Sequence, residues 1–173
     1  MSDTNSVSFH LNGVEVHGAA DASLLQAVRA AGATSVKDGC SPQGQCGCCT
    51  VWVDGQPRVA CVTPASRVAG RSVTTLEGLA EAGDWAQRLC DSGGSQCGFC
   101  TPGIIMRLAA IPAAQRSDAT VRQALLAHLC RCTGWNTIVE GALAAPRPFP
   151  GWARAPEPAE RSEEHTSELQ SRQ

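Results

Sequence analysis

Eight cysteines in two quartets restrict this chain more than anything else in it. Cys97 and Cys100 form a CxxC pair inside Gln96-Cys97-Gly98-Phe99-Cys100-Thr101-Pro102-Gly103. A CxC pair, Cys130 and Cys132, follows inside Leu129-Cys130-Arg131-Cys132-Thr133-Gly134-Trp135. Four thiols in that arrangement, with apolar sequence between the pairs, close around one soft metal centre. A second quartet, Cys40, Cys46, Cys49 and Cys61, lies in a glycine-rich loop and the strand pair after it. Any fold for this chain has to gather both sets of sulfurs.

Composition narrows the reading further. Ten cysteines in 173 residues would point to disulfides only in an oxidising compartment. The polar N-terminus has no charged-then-apolar export signal, so clustered close spacings favour metal ligation and a cytoplasmic setting. Net charge is -2 with no basic block, which argues against nucleic acid. No apolar run approaches the roughly 18–20 residues needed to cross a bilayer. Aromatic residues are only 4% of the chain and tyrosine is absent, so a base-stacking or sugar platform is not expected.

Residues 7–11 alternate apolar and polar side chains, Asn12-Gly13 supplies a two-residue turn, and Val14 and Val16 resume the alternation, which predicts a hairpin. Asp21 or Ser23 caps a helix whose Leu24, Leu25 and Val28 share one face, and Gly32 ends it. Residues 39–49 form a loop in which glycines allow N–H groups to approach the thiolates and offset the cost of burying their charge. Residues 50–53 and 58–62 are strands about an Asp54-Gly55 turn, so that the returning strand delivers Cys61 toward the loop. A strand near Val73 and a helical turn at residues 76–79 complete this half. The spacing Cys40-x5-Cys46-x2-Cys49 is one residue longer in its first gap than the plant-type ferredoxin pattern. Cys49 keeps the x2 spacing, leaving Cys48 as a packed neighbour rather than a ligand.

From about Asp84 the strand signals stop and four helical segments follow. The first, near residues 84–91, carries Cys90 at a position expected to pack in the core. The second takes Thr101 as cap and Pro102 at its first position. The third begins at Ser117 or Asp118 and aligns Val121, Leu125 and Leu129 on one stripe. The fourth spans about residues 136–145. Each cysteine pair precedes a helix, with Thr directly after its second cysteine and Gly soon after. That repetition predicts a four-helix bundle with approximate two-fold symmetry and a metal centre between two positive helix ends. His128 is expected as a partly exposed helix residue, Trp135 as a packing residue, and His10 and His17 as surface strand residues.

Together the two motifs resemble the small iron–sulfur subunit of the molybdenum hydroxylases, the xanthine dehydrogenase, aldehyde oxidoreductase and carbon monoxide dehydrogenase family. Residues 37–40, 46–51, 53–55, 96–103 and 129–135 carry the resemblance, which extends over about residues 6–145. It implies an α+β chain: a β-grasp, plant-type ferredoxin-like domain over residues 1–80, then a four-helix-bundle domain over residues 81–145. Each would hold one [2Fe–2S] cluster, the first on Cys40, Cys46, Cys49 and Cys61, the second on Cys97, Cys100, Cys130 and Cys132. It further implies a molybdopterin-binding large subunit and a flavin (FAD) subunit or other acceptor as partners, with electrons passing from molybdenum through both clusters. Gln96 and Cys132 would lie near the pterin. An extra residue between Cys40 and Cys46, and Cys48 in place of a small residue, are departures from the family pattern.

No catalytic acid–base pair or nucleophile constellation is evident, and an electron carrier needs none. Two other readings compete: a zinc-bound interaction module, for which all-thiolate sites are well suited, and a free-standing two-cluster ferredoxin. Beyond residue 145, five prolines fall within thirteen residues, as in a linker. Residues 161–173 resemble the translation of a sequencing-library adapter and are set aside from fold reasoning.

Overall fold

A computed structural model describes residues 5–145 of the chain; the Pro-rich stretch at 146–160 and the adapter-like segment at 161–173 lie outside the described residues. Alternation in the first strand is obeyed literally. In β1 (Ser6–Leu11), Val7, Phe9 and Leu11 are buried while Ser6 and His10 face out. β2 (Val14–Ala19) pairs with it antiparallel, Phe9 opposite Val16, about a turn in which Asn12 and Gly13 both take positive φ. Such a turn matches the right-handed twist of the strands it joins. His10 and His17 are exposed, as expected.

Of the two candidate caps, Ser23 is used. Its side chain accepts from the Gln26 backbone N–H, and Gln26 reaches back to the Ser23 N–H, closing a capping box for α1 (Leu24–Ala30). Leu24, Leu25 and Val28 are buried against the sheet.

β3 (Thr50–Val53) and β4 (Gln56–Val59) form the second hairpin. β5 (Ser72–Thr74) completes a five-stranded sheet of order β2-β1-β5-β3-β4, parallel only where β1 meets β5. Cys61 is not on the returning strand. That strand ends at Val59, and Cys61 sits in a 3₁₀ turn, Ala60–Val62, that curls the chain back toward the loop. The two faces of β3 serve two cores. Val51 and Val53 join the core beneath α1, while Trp52 packs against the helical core. The Trp52 indole N–H donates to the Met106 carbonyl at 2.7 Å, fastening sheet to helices.

Four α-helices follow: α2 (Ala82–Asp91), α3 (Thr101–Ala109), α4 (Asp118–Ala124) and α5 (Trp135–Leu143). The chain is thus α+β, with a mixed sheet and five α-helices. Trp85, Leu89, Ile104, Ile105, Leu108, Val121, Ile138 and Val139 close the second core. Two guanidinium groups lie over the Trp85 ring, Arg88 at 5.0 Å and Arg116 at 4.8 Å from its centre.

Four expectations for the helical half fail in detail. Cys90 is exposed, because the apolar stripe of α2 runs through Trp85 and Leu89 and leaves its neighbour outside. Thr101 lies inside α3, and Cys100 is its N-cap. α4 ends at Ala124, so the stripe stops at Leu125, and Leu129 is 60% exposed beyond the helix. His128 is neither helical nor exposed: it is only 5% accessible. Trp135 packs against the helical core as expected. Among the described residues no helix is long and apolar enough to cross a membrane.

Candidate metal centres

Residues 39–49 have almost no regular structure, and the chain is bent there by positive φ at Ser41, Gly44 and Gly47. The bends turn backbone N–H groups toward sulfur. Gln43 N–H reaches Cys40 Sγ at 3.3 Å, and Cys61 N–H reaches Cys49 Sγ at 3.4 Å. The Gln45 N–H, with those of Gln43 and Cys46, lowers the Cys40 pKa to about 6. Burial pushes Cys49 up to about 12 and raises Cys61 as well. Cys46, Cys49 and Cys61 are buried, and Cys40 half-buried. Their thiols are in mutual contact: Cys46 with Cys40, Cys49 with Cys61, and Cys61 with Cys40. A side chain at Gly39 would meet Cys46 Sγ at 3.0 Å, so this glycine leaves the sulfurs their room.

The second quartet assembles at the start of two helices. Cys100 caps α3, while Cys132 lies just ahead of Gly134, the N-cap of α5. Cys97 pairs with Cys132 and Cys100 with Cys130. Pairing therefore crosses between the CxxC and CxC motifs, which spacing alone does not reveal. The Phe99 N–H, followed by the Cys132 thiol, lowers the Cys97 pKa, and burial pushes Cys100 up to about 12. Burial alone would raise Cys130, but the Thr133 hydroxyl, 3.1 Å from its sulfur, and neighbouring N–H groups lower it. Cys132 is raised by its contact with Cys97. Cys97, Cys132 and Gln96 are exposed. Among the described residues no three Cys, His, Asp or Glu side chains converge as one ion requires; in the second set the thiols meet in pairs, while in the first they touch in the order Cys46, Cys40, Cys61, Cys49.

Both quartets thus consist of thiols alone, with N–H donors aimed at several of the sulfurs. That donor set fits a two-iron cluster, in which each iron takes two cysteine thiolates. Cys48 is a fifth thiol beside the first set: it is 4% exposed, its thiol touches that of Cys46 and lies 3.6 Å from the Cys46 carbonyl, and burial pushes it up to about 12. Two more residues belong here: Phe99, which sequence reasoning passed over, and His128, which it expected on a partly exposed helix face. Phe99 packs over Gly39, and His128 packs on Gly47. Only the position of His128 two residues before Cys130 hinted at its place.

Two family descriptions match consecutive stretches of the chain: a 2Fe-2S iron-sulfur cluster binding domain over residues 4–78 and a [2Fe-2S] binding domain over residues 75–143. The xanthine dehydrogenase iron-sulfur-binding subunit of Escherichia coli O157:H7 is 38% identical over 151 residues, which cover 82% of this chain and 94% of that one. The chain belongs to the family of small iron–sulfur subunits of the molybdenum hydroxylases. Solved structures agree on the fold of this iron–sulfur subunit. Quinoline 2-oxidoreductase from Pseudomonas putida superimposes with a TM-score of 0.73 at 34% identity, covering 80% of this chain and 90% of that one. The aldehyde oxidoreductase from Desulfovibrio desulfuricans gives 0.72 at 36% identity, covering 81% of this chain but 17% of that one. The iron–sulfur subunit therefore corresponds to nearly the whole of some relatives and to a small part of others.

Proposed function

We propose that this chain is the electron-transfer subunit of a molybdopterin-dependent hydroxylase or dehydrogenase and holds two [2Fe–2S] clusters. Cys40, Cys46, Cys49 and Cys61 bind one, in a ferredoxin-like domain of residues 1–80. Cys97, Cys100, Cys130 and Cys132 bind the other, in a four-helix bundle formed by α2 to α5 within residues 81–145. The observation that carries this reading is the meeting of the thiols in pairs, Cys97 with Cys132 and Cys100 with Cys130. A mononuclear zinc site draws all four ligands to one point. When bound, such clusters accept and release single electrons without acid–base or nucleophilic chemistry from the protein.

Exposed Gln96 and Cys132 face the pterin of the large subunit, and electrons enter there. Leu126 and Leu129, 83% and 60% exposed near Cys130, offer that subunit an apolar contact. Electrons leave from the Cys40 set to FAD or another acceptor on a partner, in the cytoplasm. The chain alone turns over no organic substrate. The test is iron content, visible absorption and EPR of the purified chain, with copurification of a molybdenum subunit. About four irons per chain and two distinct reduced EPR signals are expected. A colourless protein carrying zinc overturns the proposal, since zinc thiolate sites have no visible bands.

A further inference from the structure

The two quartets are joined by one hydrogen bond. The Leu129 N–H donates to the Cys46 carbonyl at 3.0 Å. Leu129 is one peptide bond from Cys130, and Cys46 belongs to the other set. This gives a path of covalent bonds, broken only by that hydrogen bond, from one sulfur to the other. Elsewhere the halves also press together at α3, where a side chain at Gly103 would strike the Gly47 carbonyl and come within 2.9 Å of Cys48 Cα. That approach is a contact between unbonded atoms.

His128 is placed to hold the bridge. Its ring fills the space over Gly47, where any Cβ would collide with it. Its Nε2 lies 3.3 Å from Thr50 Oγ1, and that hydroxyl donates to the Gly47 carbonyl at 2.7 Å. With its proton spent on Gly47, the Thr50 hydroxyl accepts from His128 Nε2–H. On its other side the imidazole is near the Gly103 carbonyl and the Arg107 guanidinium of α3. One buried ring therefore touches the ligand loop, β3 and α3 at once, directly before the donating amide.

We propose that His128 is a positioning residue that clamps the Leu129 amide on the Cys46 carbonyl, making this hydrogen bond the electron crossing between the two thiol sets. The inference rests on the electron-transfer reading above. One electron leaves the centre held by the Cys97 set and reduces the centre held by the Cys40 set; no bond forms or breaks and no proton moves. The outside donor is a molybdenum–pterin centre and the outside acceptor a flavin.

The experiment compares the full chain with His128→Ala and His128→Gln. Gln keeps an N–H able to reach Thr50. Flash photoreduction by a deazaflavin, followed by freeze-quench EPR, times how the two cluster signals equilibrate. His128→Ala is expected to slow equilibration by roughly tenfold or more, within the hundredfold that a 1 Å misplacement can cost. Iron content and both midpoint potentials stay at parent values, and His128→Gln recovers part of the rate. Hydrogen exchange of the peptide containing Leu129 speeds up in the same order, a readout that needs no electron transfer. An unchanged rate with full iron overturns the inference, as does slowing explained by a shifted potential. If the alanine variant does not fold, His128→Gln alone decides: faster exchange at Leu129 with slower equilibration supports the clamp, and parent behaviour in both refutes it. A parent chain without iron refutes the proposed function instead, so the two failures are distinguishable.

Discussion

At the residue scale, thiols within these sets are held in unlike states. Cys40 is stabilised as thiolate by the Gln45 N–H and its neighbours, at about 6, while burial holds Cys49 and Cys100 near 12. In iron-free protein at pH 7, Cys40 is therefore ionised and is expected to be the first of these three alkylated by iodoacetamide. Peptide mass spectrometry reads the order, and earlier labelling of Cys49 or Cys100 would contradict it. Protection of Cys40 in iron-loaded protein completes the prediction. Cys130 is the natural target for a ligand test because it is half-buried and its sulfur is hydrogen-bonded to the Thr133 hydroxyl. Cys130→Ser should retain about half the iron and one EPR signal, with the Cys40 set intact. Full iron in that variant argues against the ligand assignment.

At the scale of elements, short segments are held by caps and close approaches more than by length. α1 spans seven residues, and its start depends on Ser23 accepting from Gln26 N–H. Removing that acceptor in Ser23→Ala is expected to cost about 1 kcal/mol in urea unfolding. An unchanged midpoint would mean that packing of Leu24 and Val28 alone suffices. Helices α2 and α5 approach closely at Gly141, where a Cβ would lie 2.6 Å from Ser92 Oγ and 3.0 Å from the Arg88 carbonyl. α3 and α5 carry another burden, since their first turns follow the cysteine pairs and turn their positive ends toward thiolate charge.

At the scale of the whole molecule, stability and electron passage both depend on how the two halves meet. Trp52, the Leu129–Cys46 hydrogen bond and His128 form one side of that junction. Within the first half, Glu77 accepts from the Ser35 N–H at 2.8 Å, the Ser35 hydroxyl and the Thr75 hydroxyl, tying the chain after α1 to the turn that leads into the helices. Burial alone would raise the Glu77 pKa, but these donors prevail and lower it below 4.5. A carboxylate with a depressed folded pKa stabilises above its unfolded value, and the contribution is lost as pH falls through the folded one. The parent's stability advantage over Glu77→Gln is thus expected to be full near neutral pH and to shrink below about pH 4.5 in urea titrations. A difference independent of pH would mean that the carboxylate charge plays no part.

Both hairpins, the face of α1, the existence of four later helices and both cysteine quartets were legible in the chain itself. Each rests on a local rule: alternation, turn chemistry, a cap, or donors of one kind at close spacing. Asn12-Gly13 and Asp54-Gly55 demand their turns wherever they occur, and thiols at CxxC and CxC spacing share a ligand's reach. What only the tertiary structure decided are relations between segments distant in sequence. Which thiol pairs with which, Cys97 with Cys132 rather than with Cys100, depends on how α3 and α5 are brought together. Cys90 is exposed because α2 turns a neighbouring stripe inward. His128 is buried because α4 stops at Ala124 and the chain swings back onto Gly47. The reason is physical: burial and contact belong to the packed assembly of both halves, and no single segment contains the information that sets them.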